Sequence, residues 1–144
     1  MQQISIVLNT EYKQLIKLWE LSARATHNFL AEKDFNYYKQ TIPKYFAQAN
    51  LYAARDNAAK LLGFMGTAEN SIEMLFVHPQ KMGQGIGKLL VNYARQELKI
   101  KKVAVNAQNK QALRFYRKLG FRAVSRSASD NEGPPYPILR LALK

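Results

Sequence analysis

The sequence predicts one α+β domain over residues 1–144, with a mixed central sheet of about seven strands flanked by four helices. Apolar residues recur with the period of strands or of helices in the order β-α-α-β-β-β-α-β-α-β-β. A chain of 144 residues with 47% hydrophobic residues is sufficient for one domain with a core. The order of the elements predicts antiparallel strands early in the chain and a parallel pair at strands four and five.

The first elements follow from the spacing of apolar residues. Ile4, Ile6 and Leu8 alternate with polar residues, which predicts a strand. Residues 11–25 carry apolar residues at helical spacing, and Thr10 before them is a residue type that caps helices. This segment is therefore predicted to be an amphipathic helix.

A second helix and a strand pair follow. Residues 32–49 have helical spacing, and a break or kink is expected near Pro43, since proline has no N–H to donate within a helix. Residues 51–55 and 61–67 are predicted strands, joined by the turn formers Asp56 and Asn57. The remaining elements are predicted as strands at 72–77, 102–106, 121–127 and 138–143 and helices at 85–98 and 109–119.

Composition narrows the classes of protein. The chain has a net charge of +12, no cysteine and only two histidines, so no disulfide framework and no metal site are expected. Neither a run of eighteen apolar residues nor a signal-peptide pattern occurs, which predicts a cytoplasmic protein without a membrane partner. The charge suits an anionic ligand, an acidic protein or nucleic acid.

Residues 83–87, Gly-Gln-Gly-Ile-Gly, stand between the strand pattern at 72–77 and the helix pattern that follows. Glycines allow tight turns and close approach of a ligand to the backbone. A helix that begins directly after such a loop directs its free N–H groups and positive dipole end towards it. This combination predicts a phosphate or pyrophosphate site, although a glycine-rich surface turn is the alternative.

Two motifs carry a family resemblance. Residues 82–87 resemble the acyl-CoA loop of the GNAT acetyltransferase family, with Met82 where that family prefers Gln or Arg. Residues 109–121, which include Asn109, Phe115, Tyr116 and Gly120, look like the family's second signature. The predicted element order is also that of the GNAT fold, so the resemblance covers nearly the whole chain.

The resemblance implies an acetyl-CoA-dependent N-acetyltransferase acting on a primary amine. The acceptor could be a protein lysine or N-terminus, an amino acid or a small amine. Because the chain has no cysteine, direct attack in a ternary complex is the simplest mechanism. Two further hypotheses stay open: a catalytically silent CoA sensor and a basic nucleic-acid-binding module, against which the scattered charges argue.

The resemblance also implies catalytic residues. Tyr116 is the candidate general acid for the departing thiolate, with simple packing on a helix face as the alternative. Glu73 is the candidate general base, and strand alternation places it on the side of Leu75 and Val77. A solvent-facing or ion-paired carboxylate is the alternative for Glu73. Asn109 is expected to contact CoA, to cap its helix, or both.

The other site residues are predicted by the same resemblance. The acceptor is expected to meet His27 and Tyr136. Residues predicted to bind acetyl-CoA are Leu75, Phe76, Val77, Met82, Gly83, Gln84, Gly85, Ile86, Gly87, Lys88, Asn109, Phe115 and Lys118.

Overall fold

The structure is a computed structural model that describes residues 3–26, 31–127 and 137–143. Its helices are α1 (Tyr12–Thr26), α2 (Glu32–Gln48), α3 (Ile86–Gln96) and α4 (Lys110–Lys118). Its strands are β1 (Gln3–Ile6), β2 (Asn50–Arg55), β3 (Leu61–Ala68), β4 (Ser71–Val77), β5 (Lys102–Asn106), β6 (Phe121–Ser127) and β7 (Ile138–Leu143). This is the element order predicted from the sequence.

The seven strands form one sheet in the order β1-β2-β3-β4-β5-β7-β6. Neighbouring strands are antiparallel except β4 and β5, which are parallel. Parallel strands need a crossover, and α3 supplies it between β4 and β5. The predicted mixed sheet, with its parallel pair at strands four and five, is confirmed.

Two apolar clusters cover the two faces of the sheet. Side chains of α3 and α4, including Leu90 and Leu113, pack with strand residues from β2 to β7 on one face. Side chains of α1 and α2, including Trp19 and Phe46, pack on the other face against β2, β3 and β4. Among the described residues, the second cluster takes no side chain from β5, β6 or β7. That half of the face stays open.

The helix α2 is not broken at Pro43, where buried Ile42 and Phe46 lie on either side, and the kink that was the other expectation stays a prediction. The expected cap of α1 was wrong. Thr10 does not cap α1, since it lies inside a short 3₁₀ turn, Asn9–Glu11. At this turn the Glu11 carboxylate accepts the backbone N–H of Leu8 at 3.0 Å.

Of the helices in the three described ranges, none combines the length and the apolar composition that crossing a bilayer would require. The same ranges contain no group of three acidic, histidine or cysteine side chains that could hold a metal ion.

Candidate active site

The parallel strands β4 and β5 diverge soon after they meet. Their pairing consists of Ser71 with Lys102 and Ile72 with Val103. Beyond Ile72, β4 continues to Val77 with no β5 partner, and β5 continues to Asn106 paired only with β7. The divergence leaves the segment of β4 after Ile72 without a β5 neighbour among the described residues, and a gap opens there between the two strands.

A cleft of about 1140 Å³ opens at this divergence, and we call it the central cleft. Its floor is formed by β4, β5 and β7. Its walls include Tyr38, Ile42 and Tyr45 of α2 on one side and Val124 and Ser125 of β6 on the other. The cleft lies over the half of the sheet face that α1 and α2 leave open, and it reaches through the divergence to Ala112 and Tyr116 of α4.

Glu73 lies on the floor of the central cleft at a β-bulge. Thr67 pairs with Ile72 and Gly66 pairs with Met74, so Glu73 is the extra residue without a partner on β3. Its carboxylate Oε2 lies 3.9 Å from Nη1 of Arg140 on β7. The arrangement gives Glu73 a cationic neighbour and leaves its side chain 35% exposed to solvent.

The bulge makes the alternation prediction for Glu73 wrong. Leu75 and Val77 pack against the α3 and α4 cluster, and Ile72 belongs to that same cluster. A strand without a bulge would place Ile72 on the opposite face from Leu75. The extra residue at the bulge shifts the alternation by one, so Ile72 and Leu75 lie on the same face. The Glu73 carboxylate instead lies near Arg140. The neighbour of Arg140 on its strand, Leu141, is buried in the α3 and α4 cluster, so Arg140 lies on the other face.

Tyr116 of α4 also lines the central cleft, although only 4% of its surface is exposed. Its ring meets Phe115 and Phe121 edge to face, with centroids 5.2 Å and 5.7 Å away. Burial raises the pKa of the Tyr116 phenol above its usual range, because the phenolate is poorly solvated there. Tyr116 is therefore both a packed core side chain and a phenol that stays protonated.

The glycine loop leads directly into α3. Gly83 and Gly85 have φ of 79° and 87°, which L side chains rarely adopt. Gly85 is the residue before α3, and the Gln84 side-chain amide donates to the backbone carbonyl of Gln80 at 3.3 Å. The first N–H groups of α3 have no acceptor within the helix and point into this turn.

Comparisons with known proteins identify the family to which this chain belongs. The model of the "Acetyltransferase (GNAT) domain" family matches residues 14–135. The chain belongs to the GNAT acetyltransferase family. It is therefore an N-acetyltransferase, and the predicted enzyme class and GNAT fold are confirmed.

Two GNAT relatives are similar over most of their length. The peptidyl-lysine N-acetyltransferase YjaB of Salmonella typhimurium is 37% identical over 91% of this chain and 90% of its own. YjaB of Escherichia coli is 34% identical over 92% and 90%. The solution structure of apo YjaB from Escherichia coli superposes with a TM-score of 0.90 at 32% identity, covering 99% of this chain and 97% of that one.

A more distant structure shares the GNAT fold. The PaiA N-acetyltransferase of Thermoplasma acidophilum, solved in complex with coenzyme A, has a TM-score of 0.73. It covers 97% of this chain and 98% of its own, at 19% identity.

The remaining predicted GNAT residues lie at several places in the structure. Asn109 caps α4, where its side chain accepts the N–H of Ala112 at 3.1 Å, and it also lines the cleft. Leu75 and Phe76 line the cleft, whereas Val77 contacts the core. Lys88 and Lys118 are exposed on α3 and α4. His27 and Tyr136 lie outside the described residues.

Sequence reasoning missed Arg140 and Lys102, two cations on the floor of the central cleft. The predicted strands contained both residues. The register that brings them together depends on the pairing of β5 with β7, which joins segments far apart in the chain. The alternation of β7 was the available signal, because Arg140 interrupts the apolar run from Ile138 to Leu143.

Proposed function

We propose that this chain transfers the acetyl group of acetyl-CoA to the side-chain amine of a lysine in a peptide or protein. The observation that carries the proposal is the divergence of β4 from β5, which opens into a cleft lined by Tyr116 and Glu73. That arrangement brings a candidate acid and a candidate base to one cleft, at the gap between two diverging strands of an N-acetyltransferase.

The choice of lysine rests on two supports. The relatives that are 34–37% identical over most of their length carry the name peptidyl-lysine N-acetyltransferase. The central cleft runs between the wall of α2 and β6, over a floor of β4, β5 and β7. An open cleft of this shape can take an extended segment of polypeptide.

The glycine loop suits the pyrophosphate of acetyl-CoA. A Cβ built on Gly83 or Gly85 would meet no other atom within 4 Å, so the backbone of this turn faces open space. The N-terminus of α3 adds the partial positive charge that favours an anion. The side chain of Met82 at the start of the loop has no hydrogen-bond donor, so backbone amides would make most of the contacts with the pyrophosphate. Acetyl-CoA would supply an activated thioester carbonyl next to β4.

Tyr116 would act on the leaving sulfur. Its buried phenol remains protonated at neutral pH, because burial raises the pKa of Tyr116. The phenol donates a hydrogen bond to the sulfur as negative charge develops on it, and the departing thiolate takes up a proton as CoA leaves. The edge-to-face contacts with Phe115 and Phe121 hold the ring in one orientation.

Glu73 would prepare the amine. A lysine ammonium has a pKa near ~10.4 and must lose a proton before it can attack. The Glu73 carboxylate on the cleft floor can hold the ammonium and accept its proton, directly or through one water. Since the chain has no cysteine, the amine would attack the thioester directly, without a thioester on the enzyme.

An acceptor panel tests the proposal. The panel contains an N-terminally blocked lysine peptide, a peptide with a free N-terminus and no lysine, free lysine and a polyamine, and release of free thiol from acetyl-CoA is followed. We expect the highest kcat/KM with the blocked lysine peptide. Faster turnover of the polyamine or of the lysine-free peptide would overturn the lysine assignment and leave the acetyltransferase activity standing.

A further inference from the structure

We propose that Arg140 selects acceptor peptides that carry an acidic residue next to the acceptor lysine. This inference rests on the proposed peptide-lysine acetylation and names the kind of sequence that the central cleft accepts. Lys102, on the neighbouring strand, supports the selection with a second positive charge.

The register of β5 and β7 places the two cations on one face of the sheet. Arg140 is opposite Ala104, and Lys102 is opposite Ala142. Directly opposed residues share a face, and residues two apart on a strand also share it. Arg140 and Lys102 are therefore diagonal neighbours on the floor of the central cleft, which both residues line.

The guanidinium of Arg140 is available to a ligand. Its side chain is 50% exposed, and its charged contact with Glu73 is 3.9 Å long, beyond hydrogen-bond distance. It makes no hydrogen bond to any residue in the described ranges. An arginine in a cleft with this freedom can offer its planar fork of N–H donors to a carboxylate of the acceptor.

The spacing of the charges suits a lysine beside an acidic residue. Nη1 of Arg140 lies 3.9 Å from Oε2 of Glu73, so an ammonium bound at Glu73 lies beside the guanidinium. A carboxylate on a residue that flanks the acceptor lysine can bind the guanidinium there and offset the repulsion between the two cations. A neighbouring lysine or arginine would meet Arg140 and Lys102 with like charge, which disfavours binding.

The charge of the whole chain acts in the same direction. With 22 Lys and Arg against 10 Asp and Glu, the protein repels basic segments and attracts acidic ones before contact. The acceptor lysine itself is a cation, so acidic neighbours also reduce the long-range repulsion on approach. The occupant inferred for the central cleft is thus an acidic segment that contains one lysine.

A set of matched peptides tests the inference. Three blocked peptides share one lysine and differ only in flanking residues, which are Glu, Gln or Lys, and kcat and KM are measured at low and high salt. For the wild-type protein we expect KM for the Glu peptide to be roughly two- to five-fold lower than for the Gln peptide, the range of a half-exposed charge pair. The Lys peptide should have the highest KM.

Variants separate a local effect of Arg140 from the effect of net charge. In Arg140→Gln, the ratio of KM for the Gln peptide to KM for the Glu peptide should fall to about one. In Arg140→Glu, the Lys peptide should have the lowest KM. The control is Arg126→Gln, which removes the same charge from the neighbouring strand β6. Arg126 pairs with Leu139 and so lies on the face of the sheet opposite to Arg140. This variant should keep the wild-type preference for the Glu peptide. An equal loss of preference in Arg140→Gln and Arg126→Gln would overturn the role of Arg140.

The outcomes also separate this inference from the proposed function. If all three lysine peptides are acetylated at equal kcat/KM, the selection by Arg140 is wrong and the lysine activity stands. If none of the lysine peptides is acetylated while another amine is, the proposed acceptor is wrong, and so is the selection by Arg140. Tighter binding of the Glu peptide in its acetylated form, compared with the Gln peptide, would show the carboxylate preference without turnover.

Discussion

The ring of Phe115 lies directly over Gly87, where a Cβ on the glycine would come within 3.2 Å of the ring carbon Cζ. Gly87 belongs to the glycine loop and the first turn of α3, and Phe115 belongs to α4. The two sequence motifs that carry the family resemblance are therefore in contact. Gly87 is small because α4 packs against the start of α3 at this point.

The contact predicts energetic coupling between Gly87 and Phe115. Alanine favours helices over glycine by about 1 kcal/mol, but at position 87 its methyl group would press on the Phe115 ring. We expect Gly87→Ala to be less favourable with Phe115 present than in a Phe115→Leu background, by about 0.5–2 kcal/mol. Urea unfolding of the four proteins measures this coupling. Equal effects of Gly87→Ala in both backgrounds would show that the ring moves away without cost.

Gly85 tests the binding site of acetyl-CoA. Its positive φ is one that Asn and Asp tolerate, and the space around its Cα is open, so Gly85→Asn and Gly85→Asp should both fold. The pair has nearly the same shape and differs in charge. Calorimetric titration should show that CoA binds Gly85→Asp at least ~10-fold more weakly than Gly85→Asn, a difference of about 1.4 kcal/mol. Equal affinity for the two variants would remove this loop as the phosphate site.

Tyr116→Phe should separate catalysis from packing. The phenylalanine ring keeps the contacts with Phe115 and Phe121, while the proton donor is lost. We expect unchanged CoA affinity and a kcat lower by about 10²–10⁴-fold. Because burial raises the pKa of Tyr116, the wild-type rate should not fall from ionisation of this phenol anywhere below the usual tyrosine pKa of about 10. A wild-type rate in the variant would leave Tyr116 a purely structural role.

Glu73→Gln tests the general base. The amide keeps the shape of the side chain but cannot accept a proton at neutral pH, so kcat should fall and its rise with pH should change, while CoA binding persists. His27→Ala is the comparison, and we expect it to raise the acceptor KM more than it lowers kcat. Full activity of Glu73→Gln with the wild-type pH profile would assign proton removal to another group or to solvent.

Local sequence signals predicted the elements well where one physical effect dominates. Asn109 caps α4 as expected from its residue type, and Gly120 after α4 has the positive φ of 100° expected at that end of a helix. The predicted bounds of β5, β6 and β7 match the structure to the residue. Each of these signals is contained in a few neighbouring residues.

The features that failed depend on tertiary contacts. The direction of Glu73 follows from a bulge against β3, and a bulge leaves no mark in the alternation of so short a strand. Arg140 reaches Glu73 only because β7 inserts between β5 and β6. In these places packing outweighed local preference.

The central claim is direct transfer of an acetyl group from acetyl-CoA to a lysine amine, and a single-turnover experiment tests it most directly. The protein in excess is loaded with acetyl-CoA labelled in the acetyl group and then mixed with an N-terminally blocked lysine peptide. We expect one label on the lysine Nζ for each free thiol released, with no label covalently attached to the protein at any time. Label that first accumulates on the protein, or thiol release without an acetylated lysine, would contradict it.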